Sequence, residues 1–209
     1  AQVRYLLSRR LGIRRIKVGH AGTLDPLATG VLLLCTGRAT KLIDRLQQGV
    51  KEYVATLQLG ATTPSFDMEH PVDAHFPTDH ISAEQARQVL TQFHGDIQQV
   101  PPDYSACKVE GKRAYELKRD GEEVQLKAKT LRIDEIEMTD FDMERMQMTI
   151  RVVCSKGTYI RALARDIGTA LHSGAYLTAL RRTRVGDYRI DDCVKLDDFA
   201  QWLEQALAA

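Results

Sequence analysis

The amino-acid sequence predicts an α+β fold, in which strands pair into one sheet and separate helices pack against it. The strand prediction comes from three stretches, 51–59, 130–138 and 147–154, where polar and apolar residues alternate. Helix signals mark two further stretches, 82–94 and 158–172. With 209 residues, of which 44% are hydrophobic and 27% charged, the chain is long enough to bury a sizeable core.

The part of the chain before the predicted strand 51–59 is predicted to contain two short helices and a buried strand. Residues 3–11 place apolar side chains at helical spacing, with arginines on the other side, and Gly12 is a typical helix terminator. Residues 31–35 are apolar and predict a buried strand. Residues 40–48 then predict a short helix that ends at Gly49.

The middle of the chain is predicted to be a long loop followed by a helix. The stretch 60–80 contains three prolines and is acidic, which predicts an irregular connection. Its three histidines, five residues apart, lack the spacing of a known metal-ligand set, so no metal is expected there. Ser82 and Gln85 have the spacing of a capping box, and Gly95 closes the helix that they begin.

The C-terminal half is predicted to supply a basic hairpin and the remaining elements of the sheet. Residues 104–129 are rich in lysine and arginine and are interrupted by two glycines, which predicts a mobile, partly helical hairpin. The helix 158–172 has a buried stripe made of Ile160, Leu163, Ala164 and Ile167. A further strand and an amphipathic helix are predicted at 176–185 and 196–207.

These elements are arranged around the stretch Gly19 to Gly30, which reads G-H-A-G-T-L-D-P-L-A-T-G and predicts a loop that joins two strands. Pro26 has a fixed backbone angle and biases Asp25 towards an extended conformation, so the aspartate is held in place. The alternative is a surface turn whose aspartate bonds its own backbone. The loop is longer than such a turn requires, and it also holds His20.

Charge is strongly segregated along a chain whose net charge is only +1. Residues 1–51 carry ten Lys or Arg against two Asp, and residues 145–190 carry nine against two. The intervening residues 52–144 carry nine against nineteen, and 191–209 carry one against five. Two basic blocks of this kind indicate a face that binds phosphate, although solvated helix faces would account for part of the pattern.

Cysteine usage and hydropathy point to a cytoplasmic protein without a disulfide framework. The four cysteines are scattered and form no C-x-x-C pair, and three of them lie in or beside apolar strand-like runs, so we expect reduced thiols in the core. No apolar run is long enough to cross a bilayer, and no signal peptide is evident. Because the sequence begins at Ala1, inside a predicted helix, we expect the natural N-terminal segment to be missing from it.

The candidate chemistry is that of one constrained carboxylate and one unusual arginine. No second acid lies near Asp25 in a motif-like context, which argues against a glycosidase pair. The glycine-rich loop lacks both the Gly-Lys-Ser/Thr ending of a P-loop and the spacing of a dinucleotide fold. Arg161 is disfavoured near a helix N-terminus unless an acidic partner holds it. These features suit nucleophilic chemistry on a nucleoside within a polyanion.

Motifs along nearly the whole chain give this chemistry a family context. The loop Gly19 to Gly30, called the organising loop below, is followed by G-R-A-T-K (Gly37 to Lys41), K-E-Y (Lys51 to Tyr53) and P-x-x-Y-S-A-x-K (Pro101 to Lys108). K-G-T-Y-I-R (Lys156 to Arg161) and Leu180-Arg181-Arg182 come next, in the same order as in the family. The sequence therefore closely resembles the TruB family of tRNA pseudouridine synthases.

The resemblance implies a reaction and a role for each matching residue. Uracil is detached from C1′ of a flipped-out uridine, at tRNA position 55 in the T-loop, and is rejoined through C5 without a cofactor or metal. By motif match, Asp25 is the nucleophile, at C1′ or at C6 of the base, Arg161 pairs with it and Tyr53 stacks on the target base. The remaining matches are substrate-binding residues: His20, Lys41, Lys108, Tyr159 and Leu180.

The resemblance also implies an architecture and a partner. We expect a single catalytic domain over 1–209, with a mixed, mainly antiparallel sheet and an RNA-binding thumb at about 104–129. A C-terminal PUA domain is expected to be absent, and the partner is the tRNA T-arm stem-loop, bound by a monomer with no membrane contact. Two rival functions are a non-catalytic tRNA-binding module of the same fold and a uridine methyltransferase that uses Cys107. The intact Asp25, Tyr53 and Arg161 argue against the first rival, and the absence of a cofactor fingerprint argues against the second.

Overall fold

The computed structural model describes residues 1–105, 107–109, 112–119 and 125–208. The helices within these residues are α1 (Gln2–Leu11), α2 (Ile43–Gln47), α3 (Ala83–Leu90), α4 (Ala114–Arg119), α5 (Ile160–Ala170) and α6 (Phe199–Ala208). The strands are β1 (Val18–His20), β2 (Ala28–Gly30), β3 (Leu34–Thr36), β4 (Lys51–Leu59), β5 (Ala61–Thr62), β6 (Ala74–His75), β7 (Gly95–Gln99), β8 (Lys108–Val109), β9 (Lys112–Arg113), β10 (Lys129–Asp142), β11 (Gln147–Cys154), β12 (Ala175–Val185) and β13 (Tyr188–Arg189).

A seven-stranded sheet forms the centre of the fold. Its strand order is β13-β12-β4-β11-β10-β7, and every neighbouring pair in that order is antiparallel. The seventh strand, β2, pairs in parallel with β12. The predicted α+β class with a mixed, mainly antiparallel sheet is therefore confirmed.

The two central strands, β4 and β11, bury one face each because their apolar residues alternate. Met148, Ile150, Val152 and Cys154 of β11 are all fully buried, as the sequence predicted. Helix α5 packs against this sheet through a stripe of apolar side chains on one face. The predicted members of that stripe are all buried: Ile160, Leu163, Ala164 and Ile167.

Close contact between α5 and the start of β12 depends on Gly168. A Cβ atom at this position would lie 2.4 Å from the backbone nitrogen of Ala175 and 2.7 Å from the carbonyl carbon of Gly174. No side chain fits at such distances, so the helix backbone and the strand touch directly.

A smaller cluster joins the two ends of the chain. Val3 and Leu7 of α1 and Leu203 of α6 are buried against one another, with Phe199 partly buried beside them. Helix α1 ends at Gly12, whose φ of 67° lies in the left-handed region, as its role of terminator requires. The arginines of α1 lie outside this cluster and are exposed.

Several element boundaries differ from the predictions for physical reasons. The apolar run 31–35 is not one buried strand: β3 begins at Leu34, which is 41% exposed, and pairs only with the short β1. Within the organising loop, strand β2 was not predicted. It forms only by pairing with β12, which lies far away in sequence. The helix predicted at 82–94 keeps its capping box but ends at Leu90, followed by a 3₁₀ turn and the unpredicted strand β7.

The predicted hairpin at 104–129 is described only in part. Its described portions contain β8, β9 and α4, and the amide of Ala114 donates to the carbonyl of Cys107 at 2.8 Å. Lys118 of α4 forms an ion pair of 3.1 Å with Asp103 of the preceding segment. Residues 106, 110–111 and 120–124, which the prediction also included, lie outside the described residues.

All four cysteines are free, but only two of them are core residues. Cys35 and Cys154 are buried, whereas Cys107 is half-buried and Cys193 is exposed, because it follows a short 3₁₀ turn at the surface. The expectation of core thiols is therefore confirmed for Cys35 and Cys154 and wrong for Cys107 and Cys193. Among the described residues, none of the helices is both long enough and apolar enough to span a bilayer.

We predict that Gly168→Ala destabilises the protein, although alanine is intrinsically better than glycine in a helix by about 1 kcal/mol. The added methyl group would overlap the backbone of β12, and such overpacking costs about 1–3 kcal/mol. Thr169→Ala, at the exposed neighbouring position of the same helix, is the matched control. Urea denaturation of both variants checks this, and a Gly168→Ala variant as stable as the control would contradict the packing argument.

Candidate active site

A cavity of about 1040 Å³ lies over one end of the central sheet. It is lined by four of the eight residues that the sequence singled out: Asp25, Tyr53, Tyr159 and Arg161. Residues from β4, from the segment before α5, from the loop 60–80 and from the segment 101–105 complete the wall. The cavity therefore forms where parts of the chain that are distant in sequence meet.

Arg161 is the buried centre of this cavity wall, with only 5% of its side chain exposed. Its Nε donates to Oδ2 of Asp25 at 3.0 Å, and its Nη2 donates to Oδ1 at 3.2 Å. The planar guanidinium thus holds the carboxylate through two hydrogen bonds. An acidic partner was predicted for Arg161 because it lies near the start of α5, and Asp25 is that partner.

The same guanidinium also joins two loops to the site. Its Nη1 donates to the carbonyl of Ser65 at 3.2 Å, and its Nη2 donates to the carbonyl of Tyr104 at 3.1 Å. Four acceptor atoms from three separate segments therefore converge on one side chain. Because each of these hydrogen bonds involves a charged donor, each is stronger than a neutral one.

Asp67 is a second acid at this site. The expectation from the sequence that no second acid lies near Asp25 is therefore wrong. The Asp67 side chain is 1% exposed, and its Oδ2 lies 3.6 Å from Nε of Arg161. Its Oδ1 accepts hydrogen bonds from the Ser65 hydroxyl at 2.6 Å and from the Glu69 amide at 3.0 Å. The sequence did not reveal Asp67 because it lies in an irregular loop, where no periodicity indicates burial.

The backbone just before Asp67 is held in an uncommon conformation. Phe66 has a φ of 61°, in the left-handed region that bulky residues rarely adopt. Its carbonyl accepts from the amide of Leu177 at 2.9 Å, and the guanidinium carbon of Arg165 lies 4.9 Å from the centre of its ring. Contacts with β12 and α5 therefore maintain the conformation that directs Asp67 inwards.

Tyr53 reaches the cavity from β4, where it lies directly opposite Val152 of β11 and Arg182 of β12. Burial raises the pKa of its phenol above the ordinary value, while the nearby charge of Arg182 acts in the opposite direction. The phenol therefore stays protonated at neutral pH. A flat, neutral aromatic ring thus lines the cavity that Asp25 also lines.

Lys51, at the start of β4, is a buried lysine beside the same cavity. Its ammonium group donates to the carbonyls of Gln47 and Gly49, the latter at 2.6 Å. Burial is the largest influence on its pKa, which lies below the ordinary value. Lys51 therefore connects the turn after α2 to the sheet.

Gln99 holds the segment that carries Tyr159, a role that no pattern in the sequence indicated. The Gln99 side chain is fully buried. Its Oε1 accepts from the Tyr159 amide at 2.9 Å, and its Nε2 donates to the Tyr159 carbonyl at 3.2 Å. A side-chain amide thus pairs with the backbone at the N-terminal end of α5, where no side chain caps the helix.

Three other predicted site residues, His20, Lys41 and Leu180, lie outside the lining of this cavity. His20 is exposed at the end of β1, and Lys41 is exposed in the 3₁₀ turn before α2. Leu180 is 6% exposed and packs in the main core. The side chain of Lys108 lies outside the described residues, and only its backbone, in β8, is described.

The arrangement offers an anionic oxygen pair beside an aromatic ring in a cavity open to solvent. Lys118 and Lys156 also line the cavity, and Lys118 is ion-paired with Asp103. Among the described residues, no group of three or more His, Cys, Asp or Glu side chains is placed to hold a metal ion. The functional groups that face the cavity suit a reaction in which Asp25 attacks a bound, planar, electron-poor ring or its attached sugar.

Comparison with protein families gives two adjoining matches. Residues 9–160 match the model described as "TruB family pseudouridylate synthase (N terminal domain)". Residues 161–209 match the model described as "tRNA pseudouridylate synthase B C-terminal domain". The boundary between the two matches falls at the start of α5, next to Arg161.

Individual proteins are similar over nearly the whole chain. The "tRNA pseudouridine synthase B" of Phocaeicola vulgatus is 62% identical over 204 residues, which cover 98% of this chain and 86% of that protein. The protein of the same name from Bacteroides thetaiotaomicron is 62% identical over 205 residues, covering 97% of this chain and 85% of that protein.

Solved structures with the same fold are larger. The "Crystal Structure of a Cbf5-Nop10-Gar1 Complex" contains a chain that is 29% identical, with a TM-score of 0.70 over 98% of this chain. The "Structure of H/ACA RNP bound to a substrate RNA containing 2'-deoxyuridine" contains one that is 27% identical, with a TM-score of 0.67. This chain spans about half the length of those chains, 52% and 51% respectively.

We predict that Arg161→Met costs about 3–5 kcal/mol of the free energy of unfolding, because it leaves the buried Asp67 carboxylate without its cationic partner. Adding Asp67→Asn to the same variant is expected to recover part of that loss. Arg132→Met is the control: Arg132 is 59% exposed, and water screens its ion pairs with Asp96 and Asp134, so their loss is expected to change the free energy of unfolding little. Urea denaturation measures all three variants. Equal costs for Arg161→Met and Arg132→Met would show that Asp67 does not depend on Arg161.

Proposed function

The chain belongs to the TruB family of pseudouridylate synthases, and on that premise we propose that it converts uridine to pseudouridine at position 55 in the T-loop of tRNA. The single observation that supports this proposal most directly is the paired contact between Arg161 and Asp25 at the wall of an open cavity. The names of the similar proteins agree with a tRNA substrate.

The reaction is an isomerisation whose bonds balance within the nucleotide. The bond between N1 of uracil and C1′ breaks, a bond between C5 and C1′ forms, the hydrogen on C5 leaves and N1 gains a proton. Asp25 acts as the nucleophile, at C1′ or at C6 of the ring, and the bond that it forms breaks again before the product leaves, which restores the carboxylate. Two charge-assisted hydrogen bonds from Arg161 hold that carboxylate in one orientation.

The target uridine has to leave the RNA helix before Asp25 can reach it, because a base cannot be detached and rotated inside a stack. Tyr53 supplies a flat surface at the cavity wall for the extruded ring. Base stacking on an aromatic side chain contributes about 1–3 kcal/mol per base, which offsets part of the stacking lost in the RNA. Tyr159, which lines the same cavity, completes the ring-binding pocket.

The RNA backbone is bound by positive charge around the cavity. Lys118 and Lys156 line the cavity, and the arginines of α1 and Lys41 are further exposed cations. Sequence-specific RNA readers act mainly on splayed loop nucleotides and contact the stem through phosphates. We propose that His20, Lys41 and Lys108 contact the T-arm outside the cavity, and that one monomer binds one stem-loop.

We further propose that residues 1–209 act as one catalytic domain, in the cytoplasm where tRNA is modified. In support of this, β12 lies next to β4 in the central sheet although the two strands fall in different family matches. Asp25 and Arg161 likewise come from different family matches and meet at one site. A division of the chain between residues 160 and 161 would place Asp25 and Arg161 on different pieces.

The experiment that tests the function is tritium release from uridine labelled at C5 in tRNA. We expect release with the wild-type chain and a loss of at least about a thousandfold with Asp25→Asn, because the amide has the same shape but is not a nucleophile. Binding of tRNA is expected to change by less than about threefold. A non-catalytic tRNA-binding module would bind tRNA but release no tritium in either form, and a variant that keeps its single-turnover rate would place the nucleophile elsewhere.

A second prediction separates the ring of Tyr53 from its hydroxyl group. Tyr53→Phe is expected to bind a T-arm hairpin as the wild type does, because the aromatic surface remains. Tyr53→Ala is expected to weaken the bound state of the flipped base by about 1–3 kcal/mol and to lose turnover. Equilibrium binding and single-turnover rates of both variants give the answer. Equal losses in the two variants, with unchanged hairpin affinity, would mean that the hydroxyl group and not stacking is required.

A further inference from the structure

Arg182 lies on β12 beneath the loop that carries Asp25, and its side chain is only 2% exposed. Its Nε donates to the carbonyl of Val31 at 2.8 Å. Its Nη1 donates to the carbonyl of Thr23 at 3.3 Å, and its Nη2 donates to the carbonyl of Gly22 at 3.1 Å. One guanidinium therefore holds both ends of the loop 22–31.

The backbone of Arg182 holds the same loop. The amide of Val31 donates to the carbonyl of Arg182 at 2.8 Å, next to the parallel pairing of β2 with β12. A Cβ atom at Gly30, whose φ is 103°, would lie 2.1 Å from that carbonyl oxygen. Only glycine allows this approach, so the loop meets Arg182 at a fixed distance.

The charge of Arg182 has no carboxylate partner among the described residues. Three hydrogen bonds of its guanidinium go to main-chain carbonyl oxygens, and its charge also acts on the phenol of Tyr53. Burying a guanidinium without an anion is costly, and an apolar side chain of similar volume would avoid that cost. Arginine therefore suits this position because its planar guanidinium binds the loop carbonyls, and not because it stabilises the core.

Arg161 alone cannot fix the nucleophile. It holds the carboxylate of Asp25, but the backbone around Asp25 includes Gly22 and Gly30, which permit many conformations. A loop that moved with its carboxylate would keep the ion pair and still misplace the oxygen atoms relative to a bound nucleotide. Misplacement by about 1 Å is enough to cost about a hundredfold in rate.

We propose that Arg182 is a positioning residue for the reaction: its side chain and backbone lock the loop 22–31 against β12, so that Asp25 meets the substrate in one geometry. The proposal rests on the function proposed above. It assigns different tasks to two arginines of the same cavity wall. Arg161 orients the carboxylate, and Arg182 fixes the backbone from which that carboxylate extends.

The first variant is Arg182→Lys, which keeps the charge and loses the three-pronged fork. We expect the single-turnover rate on a T-arm hairpin to fall by about tenfold to a hundredfold, with hairpin affinity within about twofold of wild type. Arg184→Lys is the matched control on the same strand, because Arg184 contacts Glu52 and the carbonyl of Gly186 and lies outside the cavity lining. It is expected to keep the wild-type rate.

Hydrogen exchange without RNA tests the positioning itself. In Arg182→Lys, amides in the segment 20–33 are expected to exchange faster than in wild type, while those of β11 keep their rates. Gly30→Ala approaches the same contact from the loop side and leaves Arg182 intact, so it serves if Arg182→Lys does not fold. It is expected to show the same local exchange and the same loss of rate at unchanged affinity.

Two outcomes would overturn the proposal. One is a wild-type rate together with unchanged exchange in 20–33 when the fork is removed. The other is faster exchange throughout the sheet with a parallel loss of hairpin affinity, which would make Arg182 a general stability residue. A wild-type chain that released no tritium from tRNA would instead refute the proposed function, and the exchange result would still decide whether Arg182 holds the loop.

Discussion

The structure of the site depends on one buried cation, the guanidinium of Arg161. It contacts carboxylates on two loops and carbonyls on two segments, and it lies on a helix that packs tightly against the central sheet. A buried charge without partners is so unfavourable that these segments must meet around it for the native state to form. The contacts that satisfy the buried guanidinium of Arg161 thus also orient the carboxylate of Asp25.

A second constraint is that the loops of the site adopt backbone conformations which they would not adopt alone. Phe66 is held with a positive φ by contacts to β12 and α5, and Gly30 lies against the backbone of Arg182 at a distance that excludes a side chain. Strand β12 takes part in both contacts. The sheet therefore acts as the rigid support on which the loops that line the cavity are arranged.

Local patterns in the sequence predicted the parts of this arrangement that depend on local forces. The strands 51–59 and 147–154 were predicted with the bounds that the structure gives. The reason is that each residue of a half-buried strand shows in the sequence, by being polar or apolar, which face it lies on. The position of Arg161 near a helix N-terminus predicted an acidic partner for the same local reason. Asp67, Gln99 and Arg182 were not recognised, since their roles come from partners that are distant in sequence. The strand β2 was missed because it exists only through β12.

The central claim is that Asp25, held by Arg161, attacks a uridine that has left the RNA stack. The most direct measurement is a crystal structure of the chain with a T-arm hairpin whose target uridine carries fluorine in place of the hydrogen at C5, so that the final loss of that hydrogen is blocked. We expect an extruded ring against Tyr53 and an Asp25 oxygen bonded to, or within about 3.5 Å of, C1′ or C6. A target nucleotide that remains stacked in the hairpin, or a ring in the cavity with Asp25 turned away from it, would show that Asp25 does not attack a flipped-out uridine.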